Sequence, residues 1–357
     1  MKTSHICLAC KNLINNAEYK LFLPATLDKL SEFDDLKVIS CSNCGFSFPT
    51  KIISEKDLSD YYSNSYSGKA KKVGKSIREI KIGKTPIDIR SLSQIELIRK
   101  FLNLDSNSNV LEIGPGLGHF FRTLKFLGYS TNNYAIEPQI DAHNSLDLLN
   151  VKIEKDTLNS KILSQLAENK YDLIVMSHSL EHFNAADIST ILNGIYNALS
   201  EGGYFLCEVP NANLDKYPDA GDLVVPHLAF FSIESIKHFF KEVGFKMKFI
   251  NTCGNNQLDK ITREYLNDNA KKGYYNFETS DDGKMKINIY TRKYFEIKNK
   301  RRNRRLFLIK ILEKIPLFDS FRNLVRKLKS HDIYDILNDS NFIYSEDREF
   351  IRVIAKK

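Results

Sequence analysis

The sequence predicts an α/β fold, a mostly parallel sheet with helices on both faces. Three observations carry that expectation. Val110-Leu111-Glu112-Ile113 is a short apolar run of the kind that parallel strands buried on both faces show. Gly114-Pro115-Gly116-Leu117-Gly118 follows at once, and His119 to Leu127 then reads as a helix. Some twenty residues on, Tyr134-Ala135-Ile136-Glu137 reads as a second strand ending in an acid. A strand, a glycine turn and a helix N-terminus together bring backbone N–H groups up to a ligand. A carboxylate at the end of the next strand accepts hydrogen bonds from both hydroxyls of an adenosine ribose.

The remaining elements follow in order. Near the amino end, Cys7-x-x-Cys10 and Cys41-x-x-Cys44-Gly45 form two knuckles about 30 residues apart. A single Cys-x-x-Cys also suits a redox dithiol. Two of them in a short module suit one tetrahedral zinc ion, one structural zinc per chain. Cys207 and Cys253 fall on or beside expected core strands and read as inert packing residues. Asp60 to Ser67 is aromatic and polar, and the basic, glycine-punctuated stretch Lys69 to Lys84 reads as a linker. Ile89 to Leu104 has apolar residues at helical spacing. Val151 to Asp156 is expected to be the third strand and Tyr171 to Met176 the fourth, running into Ser177-His178-Ser179-Leu180-Glu181-His182-Phe183. Leu199 to Gly203 reads as a turn into the strand Tyr204 to Val209, which Pro210-Asn211 stops. Ser232 is a natural N-cap for a helix to Val243, with Glu234 in its first turn and Gly244 at its end. The pattern then breaks off and resumes at Arg348 to Ala355, read as the last strand. Between them lies a strongly basic stretch, Arg292 to Lys329, centred on Lys300-Arg301-Arg302-Asn303-Arg304-Arg305, with an amphipathic segment from Leu306 to Leu328. It has three readings: a solvated helical face, a lid attracting phosphate or acidic sugar, and a contact with an anionic membrane surface.

Length and composition bound the organisation. A chain of 357 residues exceeds one compact core, and 42% apolar residues is ordinary for a globular protein. The formal charge of +8 is modest and unevenly placed. The expected boundaries are a zinc-binding module at 1–68, a linker and leading helix at 69–104, a catalytic domain at 105–254 plus 346–357, and a basic helical insertion at 255–345. No charged-then-apolar leader precedes Cys7 and no run of about 18 apolar residues occurs. With free thiols and a thiolate site, these features make the cytoplasm the expected compartment.

The spacing Glu112-x-Gly114-x-Gly116-x-Gly118 departs from the dinucleotide fingerprint, which needs glycine where His119 stands. It resembles motif I of the class I methyltransferases that use S-adenosylmethionine. The later segments, with Leu180-Glu181-His182, Gly202-Gly203 leading to Val209-Pro210-Asn211, and Pro226-His227 leading to Phe231-Ser232, resemble one branch of that family from 105 to 254. The resemblance implies a Rossmann-like seven-stranded methyltransferase sheet, preceded by a small zinc ribbon and carrying an α-rich basic insertion before the last strand. It implies that Gly114, Gly116 and Gly118 admit the methionine portion of the cofactor. Glu112 would orient that loop and reach the ammonium group, and Glu137 would take the ribose hydroxyls. Asp156 would accept from the adenine amino group, and Ser177 and His178 would lie at the cofactor after the fourth strand. Methyl transfer to a neutral acceptor also needs a base. His227 is the first candidate and His182 the second, with Glu181 to orient either one or to bind an acceptor hydroxyl. Tyr61, Tyr62 and Tyr66 have two readings, lining the acceptor side or packing the zinc module onto the catalytic domain.

A four-cysteine module, an Asp-Tyr-Tyr segment and a His-x-x-Phe-Phe-Ser element together resemble the sugar methyltransferases, and among them the C-methyltransferases of deoxysugar nucleotides. In that group a histidine matching His227 is the proposed base. Two departures point away from carbon methylation. Pro226 replaces a glutamate before His227, and a shorter basic insertion stands where that group has a long carboxy-terminal domain. The expectation is therefore O-methylation of a nucleotide sugar or surface glycan, with sugar C-methylation as the alternative. Zinc-ribbon methyltransferases of ribosomal RNA are a further alternative. Their zinc motif uses a histidine and tighter spacing, and the basic residues here lie outside the zinc module, so a nucleic-acid partner is not expected.

Overall fold

In a computed structural model of the chain, the residues described are 4–15, 20–22, 36–65, 79–82, 85–168, 170–212, 227–253, 278–279, 285–286 and 350–357. The chain divides into two compact units, one of Met1–Ile80, Ile87–Gly254 and Ile343–Lys357, the other of Lys81–Pro86 and Asn255–Phe342. Within 255–342, the described residues are the antiparallel pair Glu278–Thr279 and Met285–Lys286. The expected basic stretch and its helix lie outside the described residues, as do Tyr66 and most of the expected linker.

The amino-terminal part of the first unit holds β1 (Lys20–Phe22), β2 (Leu36–Ser40), β3 (Ser47–Pro49) and α1 (Glu55–Asp60), with β1, β2 and β3 in one antiparallel sheet. Then come α2 (Ile89–Ile98), β4 (Asn109–Ile113), α3 (His119–Phe126), β5 (Asn132–Ile136), α4 (Ile140–Asp147), β6 (Lys152–Glu154), α5 (Ser160–Leu166) and β7 (Tyr171–Ser177). The chain continues through α6 (Ile188–Ala198), β8 (Leu199–Pro210), α7 (Ile233–Val243), β9 (Lys246–Cys253) and β10 (Phe350–Lys356). The seven-stranded sheet has the order β6-β5-β4-β7-β8-β10-β9. Its first five strands are parallel, and β10 runs antiparallel between β8 and β9.

Alternating side chains explain the apolar runs. Leu111, Ile113, Ile174, Met176, Phe205 and Val353 enter one core cluster, while Val110, Val175, Leu206 and Ile354 are equally buried. Residues one apart on a strand face opposite sides, so both faces of this sheet are covered. The helix caps follow local chemistry. Ser232 accepts from the Ser235 N–H at 3.1 Å while the Ser235 hydroxyl accepts from the Ser232 N–H at 2.9 Å. Gly244 closes α7 at φ +99°, a conformation that glycine adopts without a Cβ penalty.

Two local expectations change. Leu199 to Gly203 is not a turn ahead of the strand. Leu199 already pairs with Tyr171, pairing resumes at Tyr204 with Leu173, and the residues between them bulge. Gly202, at φ +78°, lets the bulge form without breaking the strand. The leading helix stops at Ile98 rather than Leu104, and the chain beyond it tightens: the N–H groups of Lys100 and Phe101 turn back three residues, to the Leu97 and Ile98 carbonyls.

The cysteine module shares the core of the sheet. Cys7, Cys41, Cys44 and Phe46 belong to the same buried cluster as Phe231 and Phe239. Phe46 meets Phe239 edge-on at 5.1 Å. Ser47 and Phe230 exchange backbone hydrogen bonds of 3.1 and 2.9 Å, and the Ser232 hydroxyl donates to the Cys44 carbonyl. Asn184 binds both the N–H and the carbonyl of Ile53 at 2.9 Å.

Candidate active site

β4 and β7 are neighbours, and the strands that follow them lie on opposite sides, β5 and β6 beyond β4 and β8 beyond β7. Such a reversal opens a crevice at the carboxyl ends of the strands. A cavity of about 330 Å³ sits there, lined by Gly114 and Gly116 after β4, Glu137 and Gln139 after β5, Thr157 and Leu158 after β6, and His178 and His182 after β7. Gly116 has φ +53° and open space where a side chain would be, so its backbone is bare toward a ligand. Gly118 has the opposite reason: a Cβ there would stand 2.7 Å from Leu146 of α4.

The Glu137 carboxylate is fixed by the backbone. One oxygen accepts from the Gly116 N–H at 2.7 Å and the other from the Gln139 N–H at 2.8 Å. Burial pushes its pKa up against those two bonds, so a ligand hydroxyl donating to it would be stabilising. Asp156 is turned otherwise. Its carboxylate accepts from the Thr157 N–H at 2.7 Å and the Asn159 amide at 3.2 Å, and the adjoining Thr157 and Leu158 form the cavity wall in its place.

A second cavity of about 260 Å³ shares Gly114 with the first. Glu112, Arg90, Gln94, His119 and Ser177 line it. Glu112 is 5% exposed and its Oε2 has no hydrogen-bond partner. Burial, then the charges of Glu137 and Asp88, push the Glu112 carboxyl up to about 8, so a cation beside it would be favoured. Across the same cavity the Nη2 of Arg90 also lacks a partner. Ser177 accepts from the Gln94 amide at 2.9 Å. A carboxylate and a guanidinium with open positions match the ammonium and carboxylate of a free amino-acid end.

After β7 the chain turns sharply. His178 has φ +55°, a left-handed conformation uncommon for a side chain of this size. Its N–H donates to the Glu208 carbonyl at 2.7 Å, and its ring lies 3.5 Å from Glu181 and 3.3 Å from Glu208. Burial opposes charge on that ring, but the Glu181 and Glu208 carboxylates, which accept from its N–H groups, overcome it and hold the pKa at about 9. Glu181 is 1% exposed. Burial would raise its pKa, yet His178 and the neighbouring rings hold it to about 2. His182 stands on the cavity wall between two rings, Tyr62 at 5.4 Å and His227 at 4.9 Å. His227 is set behind it, 6% exposed, and burial followed by the charge of His182 presses its pKa down to about 3. The ring the sequence favoured as base is therefore the deeper one, and His182 is the one on the cavity wall. Tyr61 packs into the cluster around Leu36 and Val38, while Tyr62 also lines the cavity, so the two readings of these tyrosines divide between neighbours.

The four cysteines converge. Cys7 Sγ lies 3.6 Å from Cys44 Sγ, and Cys10 Sγ lies 3.7 Å from Cys41 Sγ. A tetrahedral zinc ion with bonds of about 2.3 Å spaces its sulfurs by about 3.8 Å. The two knuckles repeat one geometry: Lys11 after Cys10 has φ +62° and Gly45 after Cys44 has φ +71°. The hydrogen bond between Cys7 and Cys44 holds the Cys7 thiol down and pushes the Cys44 thiol up, so with no metal present the two sulfurs share one proton.

One feature of the site escaped the sequence reading. Glu208 is fully buried, and the Arg352 Nε donates to it at 2.6 Å. Arg90 lies 3.3 Å from its other oxygen. Glu208 and Arg352 stand directly opposite one another on β8 and β10. An acid in Leu206-Cys207-Glu208-Val209 and a base in Ile351-Arg352-Val353 were each a charge inside a buried-strand pattern, and that was the available signal.

The site is thus a switch-point crevice of an α/β sheet, with a backbone-fixed carboxylate in one cavity and a carboxylate across from a guanidinium in the other. Residues 89–248 match the model of a known family, described as a methyltransferase domain. The chain carries that domain and is an enzyme that uses S-adenosylmethionine. No curated protein matches the chain. Among solved structures it is similar to a SAM-dependent methyltransferase from Archaeoglobus fulgidus, at 16% identity over 75% of this chain and 94% of the other, TM-score 0.40. It is also similar to phosphoethanolamine N-methyltransferase 2 of Haemonchus contortus, at 13% identity over 87% of this chain and 61% of the other, TM-score 0.44. A third likeness is to a methyltransferase from Mesorhizobium loti, at 10% identity over 75% and 100%, TM-score 0.41. Likenesses this weak say nothing of what this chain methylates.

Proposed function

We propose that this chain methylates a hydroxyl of a sugar, carried on a nucleotide or in a surface glycan, and that Cys7, Cys10, Cys41 and Cys44 hold one structural zinc. The observation that carries the cofactor half is the pair of cavities meeting at Gly114, with Glu137 in one and Glu112 facing Arg90 in the other. When bound, S-adenosylmethionine supplies an electrophilic methyl group. Glu137 accepts from its ribose hydroxyls, Glu112 and Arg90 bind its amino-acid end, and the bare Gly116 backbone lets it approach. The acceptor side is the wall formed by Tyr62, His178 and His182. An aromatic face beside it suits a sugar ring. An acceptor hydroxyl must lose its proton as the new bond forms, and the Glu181–His182–His227 cluster is where that is driven. A thiolate site suits a reducing compartment, which supports the cytoplasm as the proposed location.

The test is incubation of the full chain with labelled S-adenosylmethionine and a panel of nucleotide sugars, glycans and RNA. The expected result is label on a sugar oxygen. Label on a sugar carbon supports the C-methyltransferase alternative, and label in RNA alone overturns the sugar reading.

A further inference from the structure

We infer that Glu181, His182 and His227 form a second metal site, which holds one divalent first-row transition cation against the acceptor. This inference rests on the acceptor side proposed above. A carboxylate oxygen and one nitrogen from each ring all lie within 4.8 Å of one another. Two of the three donors are deeply buried, and each presents one atom with no hydrogen-bond partner. Glu181, 1% exposed, has no partner for Oε2, and His227, 6% exposed, has none for Nδ1. A buried polar atom left unsatisfied is destabilising, so two in one cluster call for a ligand.

The backbone builds the cluster deliberately. The Glu181 carbonyl accepts from the Leu228 and Ala229 N–H groups at 2.8 and 3.1 Å, which pins the His227 segment to the β7 turn. The other Glu181 oxygen faces His178, whose far side is held by Glu208. A ligand carboxylate steadied by an outer partner is the usual support of a metal centre. Two imidazoles and one carboxylate form a three-ligand set that suits zinc, manganese or iron and leaves positions open. Bonds of about 2.1 Å would draw the donors to about 3.4 Å, a closure that ring rotation supplies. His182 lines the cavity, so the open positions face the acceptor.

At such a site an acceptor hydroxyl binds the cation through oxygen and releases its proton to solvent. Its lone pair then forms the oxygen–carbon bond as the carbon–sulfur bond of the donor breaks, and the sulfur leaves as a neutral thioether.

The experiment titrates Mn²⁺ into the full chain with its cysteine site loaded with zinc, followed by the loss of free Mn²⁺ signal in electron paramagnetic resonance. One Mn²⁺ per chain is expected. Glu181→Gln should weaken it at least tenfold with zinc content unchanged. If that variant fails to fold, the part-exposed His182→Asn gives the same readout. Absence of Mn²⁺ binding, equal binding by a folded variant, or full methyl transfer in a chelator that leaves the cysteine zinc in place each overturns the inference. S-adenosylmethionine affinity, measured on the same sample by calorimetry, separates this failure from failure of the cofactor reading.

Discussion

The two sides of the crevice are built by different means. The proposed cofactor side is nearly all backbone and near neighbours: Gly116 and Glu137 are 21 residues apart, and Glu137 also binds an N–H two residues on. The proposed acceptor side is side chains gathered from afar. His178, Glu181, His227, Glu208 and Arg352 come from four segments, and Arg352 is 144 residues beyond the glutamate it binds. A short-range site can be made by one strand, one turn and one helix. A long-range site exists only once the sheet has closed, and it concentrates ionised groups where water is excluded.

If that contrast is right, damage to the long-range side costs stability and damage to the short-range side costs binding. The largest effect is expected from Cys44→Ser. Its turn supports the Ser232 cap and the Phe231–Phe46 packing, another long-range contact, so loss of the proposed zinc should sharply lower the unfolding temperature. Zinc analysis and calorimetry check this, and an unchanged transition in metal-free protein would break the comparison at its base. Next is Glu208→Gln, which leaves Arg352 buried without its counter-charge and should destabilise by about 3–5 kcal/mol. Denaturant unfolding measures it, and a loss below about 1 kcal/mol would show that the cluster is not energetically coupled.

His178 adds a pH dependence of known sign. Its pKa is about 9 in the fold against 6.5 in the unfolded chain, so its contribution is complete below about 6.5 and is lost as pH rises through 9. The loss is roughly 3 kcal/mol at most, and His178→Asn should flatten stability between those limits. A parallel decline in both proteins would assign the effect elsewhere. On the cofactor side, Glu137→Ala should weaken S-adenosylmethionine at least tenfold, about 1.4 kcal/mol, with little change in stability. Unchanged affinity by calorimetry would remove the ribose assignment. The smallest effect is Ser232→Ala, about 1 kcal/mol of stability from the lost cap. Urea midpoints that coincide with those of the parent would show the Cys44 contact to be idle.

How much of this was legible follows the same divide. The β4–turn–α3 unit, the Ser232 cap and the Gly244 stop were readable because each is decided within a few residues. The leading helix ran too long in the reading because helical spacing of apolar residues continues past Ile98, while the N–H groups of Lys100 and Phe101 already reach back only three residues. Asp156 was placed at the adenine because acids after that strand commonly face the ligand. Here Thr157 and Asn159 satisfy it locally, a competition that spacing does not reveal.

The linear chain by itself determined the periodicities, the glycine turn, the caps and the two Cys-x-x-Cys knuckles, since these depend on dihedral preference and on hydrogen bonds of short reach. Only the tertiary structure decided that β10 enters between β8 and β9, that Arg352 faces Glu208, and that His182 rather than His227 reaches the cavity. Those outcomes turn on which distant side chains share one water-free space, and burial there sets both their charge and their partners.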